Sequence, residues 1–447
     1  MYGMIQTTPL FVQDSLFQNY LVEINPDFSH PQLLNASRIC HGLFSSLSHK
    51  SLSSIAESLI ISRDQSSLNR FLTESDWGME LVQMDINRAL IMQEYRQTAM
   101  TSKGVIVLDD TLLEKTGEKM DLVGEHFDHC SFRMKRGLSL VSINYCDETK
   151  NYNLFKEIYL RKKYLKNHDR QDEFKTKIEL ACDMLTRLID TVPSVSERQP
   201  HIVFDSWFLA KDITSLLEES GFKYVSRAKN NRVIKGLAMN LKDYANTILK
   251  ETDFTPYPAE NGNGTEEAKL YYHTAILPIS NLGDVKVVFI KQQKDQDVSC
   301  FLLSNNLHLS FTEVIELYSA RWGIETDYKF TKQNLGLSEF HLRKEKGILR
   351  YLTLCFIAST FLEYYKLLGT FGRCFGKEAN LSTKGREVRA YRHLMFERFL
   401  IWLDEQLSSG TDIFDLLSYF REESVRCPHG IQFVYHNTRL SLKCGMC

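Results

Sequence analysis

The spacing of apolar residues switches between helical and strand periods along this chain, and the switches divide it. From Pro31 to about Arg96 the pattern is helical. Within it SLSSIAESL (51–59) and SSLNRFLTES (66–75), on either side of a short polar break, predict two short helices joined by a tight turn. Beyond Lys103 the β-branched run GVIVLDDT, then GLSLVSINYC and YNLFKEIYLR, predict a strand meander. Helical spacing in DEFKTKIELACDMLTRLIDT precedes a short strand, HIVFDSWF, a helix, AKDITSLLEES, and a strand, KYVSRAK. Strands followed by helices predict a mixed α/β layer. A Gly/Asn/Pro-rich loop (TPYPAENGNGTEE) and three strand-like runs, KLYYHTAILPI, DVKVVFIKQ and SCFLLSN, read as a β insertion. Helical spacing returns in FTEVIELYSARWGIETDYKFTKQ, GILRYLTLCFIASTFLEYYKLL and REVRAYRHLMFERFLIWLDEQL. No internal repeat is visible, and a serine-rich patch from Ser45 to Ser54 is the only compositional bias.

Composition changes this picture little. With 43% hydrophobic and 25% charged residues among 447, the chain reads as an ordinary globular protein with a large core. Its net charge of −2 gives no global signature of nucleic-acid binding, so any such site must be built from local basic clusters. RKKYLK from Arg161, SRAKNNR around Arg227 and Lys229, and LRKEKG around Arg343 are candidates, each also readable as a solvated surface. The longest apolar run, Leu352 to Leu362, is too short to cross a bilayer and no targeting segment is visible, so a cytoplasmic location is expected. The ten cysteines are scattered, mostly in apolar runs, which suits buried thiols in a reducing compartment. At the end of the chain Cys427, His429, Cys444 and Cys447 offer a zinc ligand set, but the pairing is irregular and free thiols are expected.

The candidate chemistry lies in YSARWGIETDYKFTK. On a continuous helix Tyr318, Arg321, Glu325 and Lys332 fall within an arc of about 60°, with Asp327 roughly 160° away from Glu325. One face then carries a carboxylate between two cations and a phenol. Two further acids follow apolar strands: Asp109 or Asp110 in VIVLDDT, and Asp205 in HIVFDSWF. Carboxylates converging from distant sequence suit hard divalent cations held for phosphodiester chemistry. Each feature also has a structural explanation. A strand-end acid is often a turn or cap residue, Arg321 pairs with Glu325 at i+4, and Trp322 is a packing residue. The combination favours the catalytic reading.

These motifs resemble a DDE transposase of bacterial insertion sequences, in the branch marked by a Tyr-x2-Arg-x3-Glu-x6-Lys box, which Tyr318, Arg321, Glu325 and Lys332 match at every position. The resemblance runs from about residue 40 to 365. It implies an α/β fold in which a ribonuclease-H-like core, interrupted by a β-rich insertion, is flanked by helical N- and C-terminal regions. The family's first acid commonly stands in an Asp-x-Thr/Ser context, which favours Asp109. Asp110 stays open, because a buried strand gives no parity cue. Asp205-Ser206-Trp207-Phe208 is compatible with the second motif, and LDDTLLEKTGE, with Lys115 and Gly117, resembles members whose first motif is DDT.

The resemblance implies that Asp109, Asp205 and Glu325 are the catalytic, metal-ligating residues, with Mg²⁺ as cofactor and Mn²⁺ able to substitute. It implies that Arg321 and Lys332 hold backbone phosphates and that Tyr318 contacts phosphate or a displaced nucleotide. The expected reaction is cut-and-paste transposition, with a hairpin intermediate on the transposon end. Its expected partners are DNA (terminal inverted repeats and target) and a second copy of the chain in the synaptic complex, with nucleoid association when DNA is bound. The expected organisation is a helical DNA-binding region over 1–100, with a candidate helix-turn-helix, and core segments at 101–235 and 311–370. The β-rich insertion occupies 236–310 and a helical region with the cysteine tail 371–447. The nearly neutral charge departs from the often basic family. Competing readings are a nuclease without strand transfer and an inactive or domesticated DNA-binding derivative.

Overall fold

The computed structural model of the chain describes residues 15–24, 28–46, 49–59, 64–77, 100–101, 103–128, 131–258, 268–369, 381, 383–418, 431–436 and 439–444. The helical expectation over 78–96, and the tail residues Cys427, His429 and Cys447, lie outside them.

One sheet organises the chain. Its strands are β1 (Val105–Glu114), β2 (Gly124–Asp128), β3 (Arg133–Cys146), β4 (Asn151–Tyr159), β5 (His201–Phe204), β6 (Tyr224–Arg227), β7 (Val233–Ile234), β8 (Met239–Asn240), β9 (Thr255–Pro258), β10 (Ala268–Ile279), β11 (Gly283–Lys291) and β12 (Cys300–Ser304). They run in the order β2-β3-β1-β5-β6-β12-β11-β10-β7-β8, with β4 beside β3 and β9 beside β10. β3 is antiparallel to β1, from Val105↔Cys146 to Glu114↔Gly137, whereas β1, β5 and β6 are mutually parallel neighbours. An antiparallel meander on one side of β1 and parallel strands on the other form the expected ribonuclease-H-like α/β core. The runs read as an insertion, β10 to β12, join antiparallel to β6 and so extend that sheet. The strands β13 (Ile431–His436) and β14 (Arg439–Cys444) pair antiparallel as a separate two-stranded sheet.

The helices are α1 (Ser15–Ile24), α2 (His30–Ser45), α3 (Leu52–Glu57), α4 (Gln65–Thr73), α5 (Lys162–Lys166), α6 (Lys177–Thr191), α7 (Pro193–Arg198), α8 (Lys211–Glu219), α9 (Leu241–Thr247), α10 (Phe311–Ser319), α11 (Trp322–Leu335), α12 (Glu345–Leu367), α13 (Lys384–Ser408) and α14 (Ile413–Ser418). Local chemistry sets several starts. Thr176 with Glu179, and Ser310 with Glu313, close reciprocal capping boxes on α6 and α10. α3 and α4 stand where the paired short helices were expected, each N-capped by a side chain, Ser51 and Asp64. α12 is buried along most of its length, so it cannot face solvent anywhere near its middle. Its buried Arg350 donates to the carbonyls of Phe71, Leu72 and Trp77, which fastens the end of α4 to the core.

The sheet has two distinct faces. Val105 and Val107 of β1, Val203 of β5 and Val225 of β6 pack with Val314, Ile324 and Tyr328 of α10 and α11. The alternate residues Ile106, Leu108, Ile202 and Phe204 join the larger core that includes Met184 and Leu185 of α6 and Leu217 of α8. Where β1 and β3 meet at their far end there is no room for a side chain: a Cβ on Gly137 would lie 2.4 Å from the carbonyl oxygen of Leu113. Gly137→Ala is therefore expected to destabilise the fold by about 1–3 kcal/mol, seen as a lower urea midpoint at unchanged m value.

Candidate active site

Strand parity brings two of the acids together. Asp109 continues the face of Val105 and Val107, and Asp205 continues that of Val203. The last registered pair of the two parallel strands, Leu108↔Phe204, stands one step before both. Asp205 thus follows the carboxyl end of β5, whereas Asp109 lies midway along β1, one step past the last parallel pair, both under α11. Asp109 Oδ1 accepts the N–H of Asp110 at 2.9 Å and its Oδ2 accepts the Arg321 guanidinium at 3.0 Å. Asp205 Oδ1 accepts the N–H groups of Trp207 and Phe208 at 2.9 and 3.3 Å, a turn that ends the strand. Asp110 points to the other face and pairs with Lys177 of α6 at 2.7 Å. Alternation alone separates the two neighbouring aspartates.

The helical acid arrives differently from expectation. The stretch from Phe311 to Leu335 is two helices, because the chain tightens at Ala320 and Arg321: Arg321 N–H bonds the Tyr318 carbonyl and Gly323 N–H that of Ala320, at 3.1 and 2.9 Å. Three-residue bonding turns the chain faster than an α-helix does. Tyr318 therefore belongs to α10, Arg321 to the joint, and Glu325 to the first turn of α11. Arg321 nevertheless gathers them. Its guanidinium bonds Glu325 at 2.6 Å as well as Asp109, and its centre is 5.6 Å from the Tyr318 ring. Gly323 allows this approach: a Cβ there would meet the Cys146 sulfur of β3 at 2.7 Å.

Lys332, farther along α11, is occupied by β1, donating to Thr111 Oγ1 at 2.8 Å and the Leu112 carbonyl at 3.0 Å. Asp327 lies on the opposite side from Glu325, buried, and accepts from Asn144 at 3.1 Å and Ser359 at 3.4 Å. Tyr328 fixes the helix to the sheet, its hydroxyl bonded to Ser142 and donating to the Asp109 carbonyl at 3.3 Å. Sequence reasoning missed Tyr328, although its four-residue spacing from Ile324 marks the inward stripe of α11. It also treated Trp207 only as motif context. That ring is half exposed beside Asp205, with the Lys229 ammonium 5.7 Å from its centre.

The electrostatics of the site are those of buried carboxylates. Burial pushes the Asp109 carboxyl up to about 7. Arg321 offsets part of the rise, while the charges of Asp205 and Asp110 add to it. Burial also raises Asp205, against the pull of its two backbone N–H bonds. For Arg321 burial lowers the pKa, but Tyr318, Asp109 and Glu325 outweigh it and leave the guanidinium raised.

Two family models match this chain. One describes a transposase DDE domain and matches residues 175–361; the other describes a DDE superfamily endonuclease and matches residues 25–245. Together the two matches span residues 25–361 and support a DDE transposase. The first match contains Asp205 and Glu325 and the second Asp109 and Asp205, and the descriptions of both models support a transposase-type nuclease. No curated protein matches it significantly.

DDE enzymes generally depend on a divalent metal. The donor chemistry here fits such an ion: all three candidate side chains offer hard oxygen ligands. Among the described residues no three Asp, Glu, His or Cys side chains are arranged to hold an ion as they stand. The position between Asp109 and Glu325 is taken by the Arg321 guanidinium. No described helix is long and apolar enough to cross a membrane.

Proposed function

We propose that this DDE chain performs cut-and-paste DNA transposition, with Asp109, Asp205 and Glu325 as its metal-ligating catalytic residues. The observation that carries the reading is Arg321, which ties Asp109 to Glu325 on the face of the sheet that Asp205 shares. A bound Mg²⁺, or Mn²⁺ in its place, supplies Lewis-acid activation and charge stabilisation during phosphoryl transfer.

The chain's own groups do the rest. Water attacks the phosphodiester at the transposon end, breaking the P–O bond to the 3′ oxygen, which leaves as a hydroxyl. That hydroxyl then attacks a second phosphodiester, so in this step one bond forms as one breaks and no other reactant is consumed. Arg321 releases Glu325 to hold a backbone phosphate, and Tyr318, its ring centre 5.6 Å from that guanidinium, contacts phosphate or a displaced nucleotide. Lys332 exchanges its bonds to Thr111 and Leu112 for a phosphate. The Tyr-Arg-Glu-Lys spacing supports the corresponding transposase branch and its hairpin intermediate. In the same reading residues 1–100 recognise terminal inverted repeats, the strands of 236–310 form the insertion of a core built from 101–235 and 311–370, and two copies pair in synapsis.

A precut end with a free 3′ hydroxyl separates transposition from simple hydrolysis. With Mg²⁺ and a supercoiled target, covalently joined product is expected. Nicking of the target without joining would leave the nuclease reading instead.

A further inference from the structure

A second feature of the fold faces DNA chemistry without belonging to the acid site. Beyond Asp109, β1 continues for five residues to Glu114, about 17 Å at strand rise. There a groove of about 890 Å³ opens between the β1–β2 connection, β3 and the loop after α11. Its lining carries five Lys or Arg residues against two glutamates, on a chain whose overall charge is −2. Positive charge is thus concentrated here by the fold, not by composition.

The groove is preformed. Lys115 spans it from below, donating to the carbonyls of Ser338 and Phe340 at 2.7 Å each, with its ammonium 3.4 Å from the centre of the Phe340 ring. Asp121 N–H bonds the Arg343 carbonyl at 2.8 Å and closes the far wall. Lys135 and Arg136 are held by acids and carbonyls of the hairpin. Lys119, His341 and Arg343 differ: all three are exposed, and no hydrogen bond or ion pair engages their side chains among the described residues.

The groove also connects two other features. Toward the acids, Lys332 feels the charges of Glu114 and Lys135, which line it. In the other direction His341 and Arg343 also line a second cavity of about 500 Å³, whose other wall comes from the α3–α4 pair. Gln65 and Asn69 of α4 face that cavity, one turn apart and exposed, and amide side chains of this kind pair with adenine edges.

We infer that this groove seats the sugar–phosphate backbone of a DNA duplex, with Lys119, His341 and Arg343 as its phosphate contacts, about five base steps from the phosphate at the acids. The assignment rests on the reading of the chain as a DNA-cleaving enzyme. It adds the path of the duplex, from the acid site along β1 to α3 and α4.

The test is salt-dependent binding of the full chain to a random-sequence duplex of about 30 base pairs, followed by fluorescence anisotropy in EDTA, where no cleavage occurs. Each phosphate contact contributes about −0.9 to the slope of log affinity against log salt. Lys119→Ala combined with Arg343→Ala is expected to flatten the slope by about 1.8 and to weaken binding at least about tenfold for every sequence. Lys242→Ala with Lys294→Ala, on the insertion strands' side, is expected to leave both unchanged. If the groove variant binds with wild-type slope and affinity, the groove assignment falls while the DNA-cleaving reading stands. If the wild-type chain binds no duplex at low salt, both fall.

Discussion

Replacing Asp109 by Asn, Asp205 by Asn or Glu325 by Gln, one at a time, is expected to reduce metal-dependent strand cleavage at a transposon end by at least about a thousandfold. Each substitution keeps shape and removes one ionisable oxygen donor. Residues that act as a unit fail together, so the three losses are expected to be similar and the double variants little worse than the singles. Duplex binding is expected to survive in all three, because the groove cations lie beyond the end of β1. Asp110→Asn is the internal control. Its side chain is paired with Lys177 on the opposite face, so that variant is expected to keep most of its activity. Full cleavage by the Asp109 variant, or its loss only in the Asp110 variant, would reverse the assignment of the first acid.

The Asp109/Asp110 choice illustrates what the sequence holds and what it withholds. Strands β1, β3, β4, β5, β6 and β10 to β12 were all legible, because β-branched runs bounded by turn residues have few other uses. The acids that follow their apolar runs were legible for the same reason, although β1 continues past Asp109 to Glu114. Which acid faces the site was not: a strand buried on both faces has no polar side to mark its parity. The parallel register with β5 and the packing of Val105, Val107 and Val203 against α11 supply that information, and both are tertiary.

The joint between α10 and α11 was invisible for another reason. Arg321, at its N-cap position, has no side-chain cap and no proline or glycine precedes it, so nothing local announces the break. It is imposed by docking, as Gly323 closes on Cys146 and Asn151 donates to the Gly323 carbonyl at 2.5 Å. The helical face inferred from periodicity therefore survives only as a cluster around Arg321. Lys332, placed on that face by its spacing, instead reaches back to β1. β2 escaped notice because its five residues, GEHFD, carry no apolar alternation.

Asp109→Asn is also expected to make the metal-free protein more stable above neutral pH. The folded Asp109 carboxyl is raised from 3.8 to about 7, first by burial. A raised acid binds its proton more tightly folded than unfolded. Its stabilising share is therefore complete below about pH 4 and is lost as pH rises through about 7. Asparagine is neutral throughout and escapes that loss. The stability of the variant relative to wild type is expected to be nearly flat below about pH 4, to climb between about pH 4 and 7, and to level off at a few kcal/mol, on the order of 4 at most by 1.36 kcal/mol per unit. Urea denaturation of both proteins in EDTA across this range measures the difference directly, since other titrating groups cancel. Parallel curves would show that Asp109 is not a strained charge. Adding Mg²⁺ is expected to raise wild-type stability with ion concentration and to leave the variant almost unmoved, because only a folded state that holds the ion gains from it. The same buried carboxylate charge that weakens the empty fold is then what the cation neutralises on binding.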